Sequence, residues 1–140
     1  MLHNALDHAK LWLEFAYADL SIARVKLPVG GKYELLLFHA QQAVEKSLKA
    51  ILTYNEIEFP YTHNLQRLVE LVPDSPDQHE LLLASTVLTE YSVITRYPGE
   101  FEPVDFARYQ RLLNIAEQVY AWAITVIPEI DATGEVFSEE

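Results

Sequence analysis

Cysteine is absent from the 140 residues, which rules out a disulfide framework and any thiolate metal site or thiol nucleophile. Glycine occurs only four times, twice as the pair Gly30-Gly31. That pair does not make a phosphate loop: Gly31-Lys32 is followed by Tyr33, not Ser or Thr, and the segment before it reads as a helix, not a strand. No apolar run approaches the length of a membrane span, and the N-terminus lacks the apolar core of a signal peptide, so a cytoplasmic protein is expected. Basic residues are scarce too. Ten Lys and Arg against 21 Asp and Glu give a formal charge of −11, which opposes general attraction to nucleic acid. Such a role would need cations clustered locally, or a basic partner chain.

What is present is apolar periodicity. Half of the residues are hydrophobic, enough for one domain with a substantial core. Leu6, Leu13, Leu20 and Leu27 recur every seven residues with Ala9, Ala16 and Ala23 interleaved, predicting a helix from about Asn4 to Leu27 whose narrow Leu/Ala seam admits a close neighbour. Tyr33–Asn55 contains neither Gly nor Pro and reads as a second, central helix. A short helix is expected from Thr62 or Asn64 to Val72, and a longer one from Gln78 to Tyr97 with Leu81, Ala84, Val87, Leu88, Tyr91, Ile94 and Thr95 inward. The last helix is expected from Pro103 or Asp105 to Ile127, with Phe106, Tyr109, Leu113, Ala116, Tyr120, Ala123 and Ile127 on its seam. The fold class is therefore all-α, an up-and-down four-helix bundle with one short accessory helix. Residues 1–128 form the bundle and 129–140 an acidic, flexible tail.

The central helix has two faces. Leu37, Ala40, Val44, Ser47, Leu48 and Ile51 share one side, whereas His39, Gln42, Lys46 and Lys49 form a separate polar stripe, with Gln41 adjoining it. A solvated face is one reading of that stripe. Against it, Lys46 and Lys49 stand one turn apart and repel unless something acidic lies opposite: this chain, a second copy, or a phosphate. For catalysis the candidates are His39, His63, Arg96, Glu45 and Glu90. The Glu-x-x-His pairs of a metal-binding bundle do not occur, and His3, His8 and His79 do not form a zinc set, so no metal or cofactor is expected.

The block Phe38–Leu52 (FHAQQAVEKSLKAIL), followed by Phe59, by Thr62-His63-Asn64-Leu65 and Leu68, and later by Tyr91 and Arg96-Tyr97-Pro98, resembles the HEPN domain. Asp19-Leu20 and Ala23 fit its opening pattern, and the resemblance extends over roughly residues 5 to 125. It implies a homodimeric, nucleotide- or RNA-binding helical module, often encoded beside a separate nucleotidyltransferase in prokaryotic toxin–antitoxin pairs. Many relatives are metal-independent ribonucleases using Arg-x4–6-His late in the chain. Arg96 takes the arginine position here, but Tyr97–Pro103 contains no histidine, so that activity is not carried over. The expected ligand or interface set is His39, Gln42, Lys46, Lys49 and Arg96, supported by Glu45, His63 and Tyr97. The alternatives are a ribonuclease with a non-standard histidine, His39 or His63, and a purely structural dimerising bundle. Arg96 could equally be a helix-end arginine paired with Glu45 or Glu90.

Overall fold

The computed structural model describes residues 4–73, 75–93 and 102–128. Helix α1 (Ala5–Ala23) begins at Asn4, whose side-chain oxygen accepts from the Asp7 amide. Its inner stripe is Ala9, Leu13, Ala16, Leu20 and Ala23, all fully or almost fully buried, with Leu6 and Leu27 packed at the ends. The alternation of small and large side chains brings α1 against α2 (Tyr33–Tyr54), the most extensive helix pairing among the described residues. A turn over Pro28–Gly31 joins them, closed by the Gly31 amide on the Pro28 carbonyl at 2.8 Å. Gly30 takes φ +82° there, a conformation glycine adopts without strain.

Helix α2 is the enclosed rod. Leu36, Leu37, Ala40, Ala43, Val44, Ser47, Leu48, Ile51 and Leu52 are all buried, against α1, the last helix and the short segments between. It ends in a Schellman-type cap, the Ile57 amide donating to the Leu52 carbonyl at 2.9 Å and Glu56 standing at φ 58°. Phe59 then folds back onto Trp12, ring centroids 6.5 Å apart. Helix α3 (Leu65–Leu71) is capped by Asn64. Helix α5 (Phe106–Val126) is capped by Asp105, which accepts from the Arg108 amide.

The expected helix from Gln78 to Tyr97 is corrected. After a 3-10 turn at Pro76–Gln78, the α-helix α4 runs only from His79 to Ser85 and continues as a 3-10 helix over Thr86–Tyr91. Ser85 and Thr86 donate their hydroxyls back to the Leu82 and Leu83 carbonyls, which competes with the α-helical ladder. Tightening to three residues per turn changes the inward face. Leu82, Ser85, Leu88 and Tyr91 are buried, whereas Ala84 and Val87 are exposed and Leu81 is half-buried. Ile94, Thr95, Arg96, Tyr97 and the 129–140 tail lie outside the described residues.

The seam of α5 is also shifted. Leu112 and Val119 join Tyr109, Ala116, Tyr120, Ala123 and Ile127 inside, while Phe106 stays exposed and Leu113 half-buried. Pairings fix the directions. Advancing along α2 from His39 to Lys49 the α1 partner retreats from Asp19 to Trp12, and along α5 from Tyr109 to Tyr120 it retreats from Ala23 to Tyr17. Both helices thus run antiparallel to α1. The result is an all-α up-and-down bundle with α3 as its accessory helix, and no described helix is long and apolar enough to cross a membrane.

Candidate functional site

The polar stripe of α2 turns out to face carboxylates of this same chain. Asp19, on α1 at the edge of the buried seam and only 8% exposed, receives two of the stripe's groups. Lys46 Nζ donates to its Oδ2 at 2.6 Å, and His39 Nδ1 lies 3.0 Å from its Oδ1. One turn away the arrangement repeats within α2. Lys49 Nζ donates to Glu45 Oε2 at 2.8 Å, and His63 Nδ1, from the loop before α3, lies 2.9 Å from Glu45 Oε1. Each cluster is thus a lysine and a histidine bridged by one carboxylate.

The two clusters differ in enclosure. Glu45 and Lys49 are buried, and Gln41 beside them is fully so, its amide donating at 3.1 Å both to Glu45 Oε1 and to the His63 carbonyl. Gln42 donates in turn to Gln41 Oε1 at 2.7 Å. The Lys49 ammonium sits among three rings, 5.4 Å from the centroid of Trp12, 5.7 Å from Phe59 and 5.9 Å from Tyr61. Desolvation pushes the Glu45 carboxyl up, but hydrogen bonds from Lys49, His63 and Gln41 together outweigh it and hold the group below its ordinary range. This cluster ties the 56–64 loop to the bundle. In the Asp19 cluster both cations reach the surface, the side chains of Lys46 and His39 being 22% and 30% exposed, and Lys46 lies 5.8 Å from the Phe15 ring; in the Glu45 cluster the lysine is buried and only His63, 46% exposed, reaches solvent.

The bonding fixes the histidine tautomers. A carboxylate can only accept, so Nδ1 of each ring carries the proton and Nε2 of the neutral ring is left as an acceptor. Among the described residues neither Nε2 has a hydrogen-bond partner. A carboxylate-oriented imidazole with its far nitrogen open can exchange a proton with a ligand or, once protonated, donate to an anion. No group of three His, Asp or Glu that could hold a metal ion occurs among the described residues.

The structure thus brings together His39, Lys46 and Asp19, and separately Gln41, Glu45, Lys49 and His63, with Gln42 linking to the second group. Arg96 and Tyr97 lie outside the described residues. Of the two carboxylates expected as its alternative partners, Glu45 is bonded as above and Glu90 accepts from Arg108 at 3.3 Å. Asp19 is the residue that sequence reasoning left out of the site. Its signal was a carboxylate one position before Leu20 of the buried seam, where an unpaired charge would be costly.

Comparison with known proteins agrees with this architecture. The family model of the HEPN domain matches residues 9–127. The crystal structure of ST0689, an archaeal HEPN homologue, superposes with a TM-score of 0.64 at 26% identity, covering 90% of this chain and 99% of that one. Over 54 residues the chain is 41% identical to a Methanocaldococcus jannaschii protein named "Putative toxin MJ1304". That match covers 39% of this chain and 35% of the relative, about a third of its length.

Proposed function

The chain belongs to the HEPN domain family, and from that membership we propose that it acts as a homodimeric module of a toxin–antitoxin-like pair, binding a phosphate-bearing ligand, a nucleotide or RNA, at the His39 edge of α2. A separate nucleotidyltransferase chain is the partner this reading assigns to it. The observation that carries the ligand reading is the Asp19–His39 bond, which leaves Nε2 without a hydrogen-bond partner among the described residues on a partly exposed ring, in a cluster with a lysine that keeps part of its surface in solvent. Gln42 adds an amide on the same stripe, and Arg96 a guanidinium suited to phosphate. Lys49 takes no part, because it is buried and its charge is met by Glu45. With a formal charge of −11, long-range attraction to a polyanion is lacking, so a nucleotide or a short RNA suits the site better than a long duplex.

Titration of fluorescently labelled ATP and of a short RNA, followed by anisotropy in EDTA, tests this. Saturable binding is expected, weakened by roughly 10- to 100-fold in His39→Ala, the loss of one charge-assisted hydrogen bond. Unsaturable binding, or a His39→Ala titration that overlays the parent's, sinks the ligand reading.

The same geometry favours one second reading, a metal-independent ribonuclease in which His39 moves the proton. It requires RNA cleavage in EDTA that His39→Ala abolishes; RNA left intact after long incubation removes it. A purely structural bundle would bind neither ligand. Its melting temperature would not move, whereas ligand at a hundred times its dissociation constant adds about 2.7 kcal/mol.

A further inference from the structure

His8, Leu11, Trp12 and Phe15 line an open cavity of about 310 Å³ on α1. Its described walls are three rings and one aliphatic side chain, and Leu11 and Phe15 leave much of their apolar surface in water, where covering it is favourable. Two of the rings are held in place by the lysines of α2. The Lys49 ammonium lies 5.4 Å from the centroid of Trp12, which also packs on Phe59, and the Lys46 ammonium lies 5.8 Å from that of Phe15. Walls fixed in this way need little ordering when a ligand enters. The cavity also adjoins the Asp19 cluster. Asp19 follows Phe15 by four residues, one turn or about 5–6 Å along the same flank of the helix, and it holds both Lys46 and His39. Lys46 thus stands between the two, beside the Phe15 ring and on the Asp19 carboxylate.

We propose that cavity and cluster form one site for an aromatic phosphate monoester, its ring held by Leu11, Trp12 and Phe15 and its phosphate by Lys46 and the Nε2 of His39. The anionic end rests on the reading above; the apolar body goes beyond it. A cavity of about 310 Å³ is at the small end of the range for ligand pockets and has room for about two fused rings. The spacing of one turn sets the phosphate directly on the ring system, with no long linker between. Apart from the His8 imidazole and the Trp12 indole N–H, the described lining has no hydrogen-bonding side chain. Such walls match a flat apolar face and do not read the edge of a base, whose amino and carbonyl groups would be costly to enclose unpaired. Charge is consistent with a single compact anion. Lys46 neutralises Asp19, so a protonated His39 leaves the cluster with one net positive charge to meet it.

Calorimetric titration with naphthyl phosphate, adenosine monophosphate and inorganic phosphate tests the proposal. Covering about 60 Å² of ring should make naphthyl phosphate bind about tenfold tighter than inorganic phosphate, and adenosine monophosphate should bind no tighter than naphthyl phosphate. Leu11→Trp, a change at an exposed position that fills the cavity, should bring naphthyl phosphate down to the level of inorganic phosphate with an unchanged melting temperature. His39→Ala should weaken both by a similar factor. Naphthyl phosphate that binds no tighter than inorganic phosphate, or that keeps its advantage in Leu11→Trp, overturns the cavity while the phosphate reading at His39 stands. Adenosine monophosphate binding tighter than naphthyl phosphate overturns the apolar body in favour of a base. Naphthyl phosphate binding that His39→Ala leaves untouched, or no binding of any of the three, overturns both the joint site and the reading it rests on.

Discussion

Replacing Glu45 tests how the α2 stripe is held together. Its carboxylate is 3% exposed and accepts from Lys49, His63 and Gln41. Glu45→Ala leaves the Lys49 ammonium, whose side chain is 7% exposed, without a counter-ion in a poorly solvated place. Breaking a buried pair from one side costs about 3–5 kcal/mol. The rings of Trp12, Phe59 and Tyr61 still face the ammonium and offset part of that cost, so a loss of about 3 kcal/mol is expected. That is a large part of the roughly 5–15 kcal/mol available to a domain, and it should lower the melting temperature by about 10 °C. The double change Glu45→Leu with Lys49→Met removes both charges and should cost only about 1 kcal/mol or less. Urea unfolding followed by circular dichroism gives all three values. The pH dependence has a definite sign. Glu45 is held below its ordinary value of 4.5 in the folded chain, so its contribution is fully present above pH 4.5 and is lost as the pH falls through the lower, folded value. The deficit of Glu45→Ala should therefore shrink on acidification. A single variant within about 1 kcal/mol of the parent, a double variant worse than the single, or a deficit that grows in acid would each refute the reasoning.

Two other changes have signs set by the structure. Glu56→Gly should stabilise the chain by roughly 0.5–1 kcal/mol, because Glu56 stands at φ 58° where an L side chain is strained and glycine is not; denaturant midpoints measure it. Tyr109→Phe should cost about 1 kcal/mol by removing the phenol that donates to the buried Ala23 carbonyl. Burial, and then the nearby Tyr33 and Glu117, hold that phenol above its ordinary 10.0 in the folded chain. Its contribution is thus intact below pH 10.0 and lost as the pH rises toward the folded value, so alkaline melting curves of the parent and the variant should converge.

How much of this was legible beforehand depended on whether one helix period governed a segment. The Leu/Ala seam of α1 and the apolar face of α2 read correctly because nothing competed with 3.6 residues per turn, and the caps Asn4, Asn64 and Asp105 stand where short polar side chains precede apolar runs. The segment 78–91 did not read correctly. Its hydroxyl residues at 85, 86 and 89 bond to carbonyls or to the α3 amide of Leu65, and the three-residue spacing that results selects Leu82 and Ser85 instead of Ala84 and Val87. Helical periodicity contains no term for that choice.

The site was legible as a stripe but not as a pair of clusters, and the difference bears on what the stripe can bind. Two lysines one turn apart called for something acidic opposite, and a phosphate, a second copy and this chain all satisfy that demand equally well on a helical wheel. Only the placement of α1 decides that Asp19 meets Lys46, and only the loop before α3 brings His63 to Glu45. A phosphate arriving at the His39 edge must therefore share Lys46 with a carboxylate 2.6 Å away, which lowers its affinity. The same carboxylate holds His39 in the tautomer that leaves Nε2 open. Asp19 thus trades anion affinity for a fixed imidazole, an arrangement better suited to moving a proton, or to reading a small ligand, than to retaining a long polyanion.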